Sequence, residues 1–342
     1  MSHLATVAVL QGGPTSDALS DAVQQVIAAA GLNIQWRTLP AGVRAVEQSG
    51  DPMPPETIDA IRSVGLCLKP LLRTPVGKGY TSPNVTLRQK LGVFAGVRAI
   101  RSLNGITSRY QNVDLVLVRE LTEGTYAGIE HTIIPGVVET IKVMTQGKAE
   151  QVIRFAFDEA RRRGRRTVTV VHKANIMKMS DGLFRNIGRQ IALDNKDIEH
   201  RDIIADNAAM QMVARPEQFD VLVAGNLFGD ILGDIGAGLV GSSLLVTSVN
   251  AADSVKVFEA TQHVGRTRNP AGEISASPLA LLMPALDLLE HLEEHEAAQR
   301  IRQAASDVLC AKARLTVAHG GISSTSEMTA AIIDRLNASS SA

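Results

Sequence analysis

The chain has 342 residues, 45% apolar and 20% charged, enough apolar material for a substantial core without a covalent staple. Thirty-five basic side chains balance thirty-five acidic ones and aromatics are only 3%, which argues against a nucleic-acid footprint and leaves few rings for base stacking. The opening MSHLATVAVL lacks a signal-peptide pattern, no stretch approaches the ~18 apolar residues of a membrane helix, and Cys67 and Cys310 both sit in apolar surroundings, so a soluble chain of a reducing, cytoplasmic compartment is expected.

Thr6–Leu10 (TVAVL) reads as a buried strand, Gly12–Pro14 as a turn, and Ser16–Ala30 as a helix stopped by Gly31. Asn33–Thr38, Leu66–Lys69, Val97–Ser102 and Asp114–Arg119 follow as strands apolar on both faces. Helical spacing predicts helices at Val137–Thr145 and Glu150–Arg163. The run RRRGRR (Arg161–Arg166) reads as a helix end, its basic residues complementing the dipole and Gly164 as the stop, although an anion site fits the same residues. Thr167–His172 and Val221–Ala224 are further strands, and Gly182–Asp194, Pro278–Glu294 and Ala297–Ala311 further helices. The last residues, NASSSA, read as a disordered polar tail. This alternation predicts an α/β fold around a mostly parallel sheet. No linker rich in Pro, Gly or Ser separates two sequential halves, so a second domain is expected as an insertion.

Three groups of residues carry candidate chemistry. NLFGDILGD puts Asp230 and Asp234 on one face of a helix starting near Leu227, where like charges ask for a cation, and Asp206 follows an apolar run. Such oxygens suit Mg²⁺ or Mn²⁺, although the pair alone equally describes a solvated face. Arg88, Arg98 and Arg119 lie in or beside apolar segments, where a guanidinium needs a partner. That partner is either a nearby carboxylate of the chain or a bound acid gripped bidentately. Lys173, after the strand VVHK, and Tyr126 are proton-transfer candidates, and His172 is read as a partner to its strand end.

Taken together, TPVGKGYTSPNVTLRQKLGVFAGVR, VRELTEGTYAGIEHTIIPGVVE, VVHKANIMKMSDGLF and NLFGDILGDIGAGLVG resemble the β-decarboxylating dehydrogenases, that is, isocitrate, isopropylmalate and homoisocitrate dehydrogenases. The NAD-dependent isocitrate branch is the most similar, and the likeness runs from Thr6 to Leu336. The resemblance implies an isocitrate/isopropylmalate dehydrogenase-like fold: a large α/β domain of residues 1–97 and 242–342 on the nucleotide side, and a smaller inserted α/β domain of residues 98–241 with dimer contacts and the metal aspartates. It further implies metal-dependent oxidative decarboxylation of isocitrate, a tricarboxylate, by a homodimer or higher homo-oligomer that engages neither nucleic acid nor membrane.

Residue by residue, Ser82, Asn84, Arg88, Arg98 and Arg119 match the substrate contacts, and the S-x-N of Ser82 and Asn84 favours isocitrate over isopropylmalate. Tyr126 and Lys173 match the catalytic pair, and Asp206, Asp230 and Asp234 the ligands of Mg²⁺ or Mn²⁺. Lys173 and Asp206 are implied to act across a dimer interface. Asn175 matches a residue near the nicotinamide, and Gly265 lies in the second nucleotide segment. That segment, QHVGRTRNPAGEISASP, departs from the family pattern: Asn269 stands where a ribose-binding aspartate is usual, and Ser277 replaces an adenine-contacting asparagine. The first glycine turn is likewise rebuilt as LQGGPTSDA. An acid on the ribose 2′-hydroxyl selects NAD, whereas Arg266 and Arg268 would accommodate the extra phosphate of NADP. NAD is the expected cofactor and NADP the alternative. A regulatory or binding subunit with altered nucleotide loops, and a homoisocitrate or isopropylmalate dehydrogenase, are the competing functions.

Overall fold

The computed structural model of the chain describes residues 5–72, 82–260 and 267–340. Its elements begin with β1 (Ala5–Gln11), α1 (Pro14–Ala29), β2 (Ile34–Pro40), α2 (Gly42–Ser49), α3 (Pro55–Val64), β3 (Leu66–Lys69) and α4 (Pro83–Leu91). There follow β4 (Ala95–Arg101), β5 (Asp114–Glu120), β6 (Gly124–Ile134), β7 (Val137–Val143), α5 (Gln146–Arg162), β8 (Thr167–His172) and α6 (Ser180–Asp194). The remainder is β9 (Glu199–Ile204), α7 (Ala205–Ala214), β10 (Val221–Ala224), α8 (Asn226–Leu239), β11 (Thr247–Ala251), β12 (Lys256–Ala260), α9 (Leu279–His291), α10 (His295–Ala311) and α11 (Thr325–Ser340). No described helix is long and apolar enough to cross a membrane.

The chain divides into two compact units. The first takes the chain up to Gly92, Leu103–Thr107 and everything from Ser242 onward. Its strands run β2-β1-β3-β12-β11, parallel except where β11 meets β12. Val7–Leu10 in β1 are fully buried, as a strand apolar on both faces must be. The helix α9 is apolar nearly all round and buried along its length, which makes it the central helix of this core.

The second unit comprises Val93–Ser102 and Ser108–Gly241. Its strands run β4-β5-β10-β8-β9, parallel except for β4 against β5. The division expected at residue 97 falls inside β4, and that strand belongs whole to the second unit. Register matters here. Arg119 pairs with Ala224, and Ala224 with Val171, so the carboxyl ends of β5, β10 and β8 finish level. Lys173 follows the end of β8, and Asn226 opens α8 beyond the end of β10.

Three expectations are corrected. Val137–Thr145 is not a helix: β7 pairs antiparallel with β6 across a turn with Gly136 at φ 85. Five of the seven residues of VVETIKV are β-branched, and they favour a pleated strand over the helical spacing that they also satisfy. NASSSA is not a loose tail through Ser340, because α11 continues to that residue past Met328, Ile332 and Leu336, which are fully buried. Cys310 is exposed, whereas Cys67 is fully buried and burial pushes its thiol up to about 12.

The RRRGRR run is a helix end. Gly164 takes φ 63, and the Arg165 N–H donates to the Ala160 carbonyl at 2.8 Å, closing α5. Arg162 and Arg163 hold the buried Glu159 at 2.7 and 3.0 Å. Against its burial, these guanidiniums bring the Glu159 carboxyl down to about 2.

Candidate active site

In antiparallel register Arg98 lies opposite Leu117, two residues from Arg119. Side chains alternate along a strand, so both arginines leave the sheet on the same face. The helix α8 covers that face with a glycine stripe. A methyl group on Gly229 would stand 2.6 Å from Arg119 Cγ, one on Gly233 would collide with the Arg98 guanidinium, and one on Gly236 would collide with Ile100. The glycines leave room for the two arginines between helix and sheet. Gly233→Ala is therefore expected to displace Arg98 and weaken its grip on a bound acid by about tenfold, with a stability loss of about 1–3 kcal/mol. Steady-state kinetics and a thermal melt check this; unchanged values for both would remove the stripe from the site.

Asp230 stands on α8 within reach of both guanidiniums and a phenol. It accepts from Arg98 Nη2 at 3.3 Å, from Arg119 Nη1, and from the Tyr126 hydroxyl at 2.5 Å. Asn226 Oδ1 takes the rest of the Arg119 fork, at 2.7 and 3.1 Å. Arg119 also lies 5.2 Å from the centroid of the Tyr126 ring. Partial burial works to raise the Asp230 carboxyl, but the Tyr126 hydrogen bond and the two guanidiniums hold it below its usual value. The same hydrogen bond to Asp230, helped by partial burial, raises the Tyr126 phenol. Asp234, one turn on and largely exposed, faces Arg98 at 3.5 Å.

Lys173 and Asp206 form a separate pair, Nζ to carboxylate at 2.7 Å. Asp206 sits on the first turn of α7, exposed, and the Lys173 hydrogen bond lowers its carboxyl. The turn carrying Lys173 is fixed from beneath. His172 Nδ1 accepts from the Ala174 N–H at 3.1 Å, and its other nitrogen faces Asp202 at 3.3 Å. Buried Asp181 accepts the Lys173 N–H at 2.7 Å. Asn175 follows on that turn, exposed. Among the described residues, no three His, Cys, Asp or Glu side chains gather as a cation site, so Asp206 does not join Asp230 and Asp234 within one chain.

In the first unit Arg88, on α4, donates to Glu259 Oε1 at 2.6 Å, and Lys69 meets the other oxygen of that carboxylate at 3.1 Å. Asn84 Nδ2 reaches the Leu72 carbonyl at 3.4 Å, and the Ser82 carbonyl begins α4 by accepting from Val85 and Thr86 at 3.1 Å. Gly265 and Arg266 lie outside the described residues. Asn269 and Ser277, expected on the nucleotide, are engaged inside their own unit. Asn269 bonds Glu273 and the Ile322 carbonyl, while Ser277 is fully buried with its hydroxyl 2.8 Å from His319 Nε2.

Glu259, Asn226, Asp181 and Lys142 escape the reading of the sequence. The glycine spacing of GDILGDIGAG was the one signal that could have shown where α8 is pressed against side chains.

The sequence profile described as isocitrate/isopropylmalate dehydrogenase matches residues 6–332. A crystal structure of isocitrate dehydrogenase from Methylococcus capsulatus is 43% identical with a TM-score of 0.86, and the match covers 97% of this chain and 99% of that one. The mitochondrial NAD isocitrate dehydrogenase subunit 1 of Ajellomyces capsulatus is 40% identical over 97% of this chain and 86% of its own length. The mitochondrial NAD isocitrate dehydrogenase regulatory subunit 1 of Arabidopsis thaliana is 41% identical over 83% of this chain and 78% of its own. These mitochondrial relatives overturn the cytoplasmic location expected above. That expectation rested on thiol content and an opening unlike a secretory signal, neither of which separates one reducing compartment from another.

Proposed function

The chain belongs to the isocitrate/isopropylmalate dehydrogenase family, and on that premise we propose that it is an NAD-dependent isocitrate dehydrogenase, converting isocitrate to 2-oxoglutarate and CO₂. The observation that carries this is the gathering of Arg98, Arg119 and Tyr126 on Asp230, with Asp234 one turn away. Two guanidiniums suit substrate carboxylates, and two hard carboxylates suit Mg²⁺ or Mn²⁺, which retain waters and share substrate oxygens. When bound, the metal acts as a Lewis acid on the substrate hydroxyl and on the charge that builds as CO₂ leaves.

Arg98 and Arg119 orient the acid and neutralise it. Lys173 would take the proton of the substrate hydroxyl, and a bound nicotinamide would supply the hydride acceptor. Tyr126 gives a proton to the carbon that has lost CO₂, and its raised phenol keeps that proton in place at neutral pH. Ser82, Asn84 and Arg88 are the proposed substrate groups of the first unit.

Lys173 and Asp206 pair with each other rather than with Tyr126 or Asp230, which supports the reading that they complete the site of a second chain. The β6–β7 hairpin, with Ile129, Ile133, Val138 and Ile141 exposed, suits a subunit contact. The relatives' names, one of them a regulatory subunit, favour a hetero-oligomer over the homo-oligomer expected from sequence.

A regulatory role is the second reading, favoured by the internal engagement of Asn269 and Ser277. Mixing the purified chain with isocitrate, Mn²⁺ and NAD is expected to yield NADH, with NADP giving less. Saturable isocitrate binding without turnover, alone or with either nucleotide, would assign the chain to regulation instead.

A further inference from the structure

We propose that Asp181 is a positioning residue for Lys173, fixing the lysine's main chain while bound to Lys142 of the hairpin. The inference rests on the reading of Lys173 as the proton-transfer group. Asp181 is 2% exposed on the first turn of α6, and the proposed chemistry makes no use of it. One of its oxygens accepts the Lys173 N–H at 2.7 Å, and the other pairs with the Lys142 ammonium. Lys142 comes from β7 and lies 3.7 Å from Met177 Sδ and 5.2 Å from the centroid of Phe228. A cavity of about 120 Å³ runs alongside, lined in part by Gly124, Thr125, Met144 and Leu227.

A carboxylate this buried needs a counter-ion, and among the described residues Lys142 of the hairpin is the cation that pairs with it. The N–H it accepts belongs to the first residue beyond β8, where the strand ladder no longer provides an acceptor. On the other side of the same turn His172 accepts the Ala174 N–H. The backbone at Lys173 is thus held on both sides, and only the flexible four-carbon stem remains to place the ammonium. The Lys142 ammonium thus neutralises the buried Asp181, whose other oxygen holds the turn that carries Lys173.

The test separates the hydrogen-bond acceptor from the charge, using the full-length chain in its holoenzyme. The double variant Lys142→Met/Asp181→Asn removes both charges and keeps an oxygen for the Lys173 N–H. Lys142→Met/Asp181→Ala removes the oxygen as well. The first is expected to hold kcat within about threefold of wild type. The second is expected to lose about 30-fold in kcat with the isocitrate KM within about threefold, since a displacement near 1 Å costs up to 10²-fold. Amide exchange of the 172–176 turn should quicken only in the alanine variant, which checks the contact in folded protein independently of turnover. Equal kcat in the two double variants, or equal exchange, would overturn the inference. Lys173→Met is run in parallel: if it keeps a tenth of wild-type kcat, the reading of Lys173 fails, whereas an inactive Lys173→Met beside an unimpaired alanine double variant sinks the positioning role alone.

Discussion

Asp230→Ala is expected to lower kcat/KM for isocitrate by at least about 1000-fold, the scale of losing a proposed metal ligand together with preorganised charge. Three donors depend on this carboxylate. Arg119 keeps 9% side-chain exposure and would lose its ion pair while keeping the neutral Asn226 oxygen, and Arg98 would retain the longer contact to Asp234. A nearly buried guanidinium stripped of its carboxylate costs about 3–5 kcal/mol, so the melting temperature falls as well. The Tyr126 phenol loses the hydrogen bond that chiefly raises it and returns toward its ordinary range. Mn²⁺ titration should show weakened binding even without turnover. The prediction fails if kcat/KM stays within tenfold of wild type.

Glu259→Gln is expected to destabilise the protein by about 3–5 kcal/mol at pH 7, because Lys69, 3% exposed, is left with a neutral amide. The pH dependence has a definite sign. Burial alone would raise the Glu259 carboxyl, but Lys69 and then Arg88 bring it down from 4.5 to about 2. A carboxyl depressed in the folded state contributes stability that is fully present above its unfolded value and lost as pH falls through the folded one. Glu259 therefore adds on the order of 3 kcal/mol above pH 4.5, fading toward pH 2. Urea melts should show the gap between wild type and variant narrowing from pH 7 to pH 3. Lys69→Met/Glu259→Gln should recover much of the loss, because removing both charges relieves the burial penalty. A gap of equal size at both pH values would refute the assignment.

The strands β1, β5, β8 and β10 were legible because they are apolar on two faces and buried on both sides, whereas β9, β11 and β12 went unread. The hairpin was not legible. Its apolar residues are exposed, so a rule that equates apolar spacing with an inward face assigns β7 to the wrong element. Within the site, the spacing of Asp230 and Asp234 was readable because a helix translates four residues into one face. That Asp230 would hold Arg98 and Arg119 was not, since it depends on β4 and β5 running antiparallel in one particular register. Asn269 and Ser277 were assigned to the nucleotide by family resemblance, which carries no information on the bonds that the local turn and His319 make to them. Asp181 was invisible for a similar reason: three elements meet on it, and sequence order separates them.

Four of the fourteen residues of α8 are glycine, at 229, 233, 236 and 238. At about 1 kcal/mol each relative to alanine, such a segment would scarcely hold helical shape alone. Its order is lent by the sheet against which it lies, so filling the site with a metal and an acid should stiffen the segment as well as occupy it. Hydrogen–deuterium exchange along 226–239 would then slow on ligation well beyond the residues that touch the ligand, and the acidic helix would serve as its own reporter of occupancy.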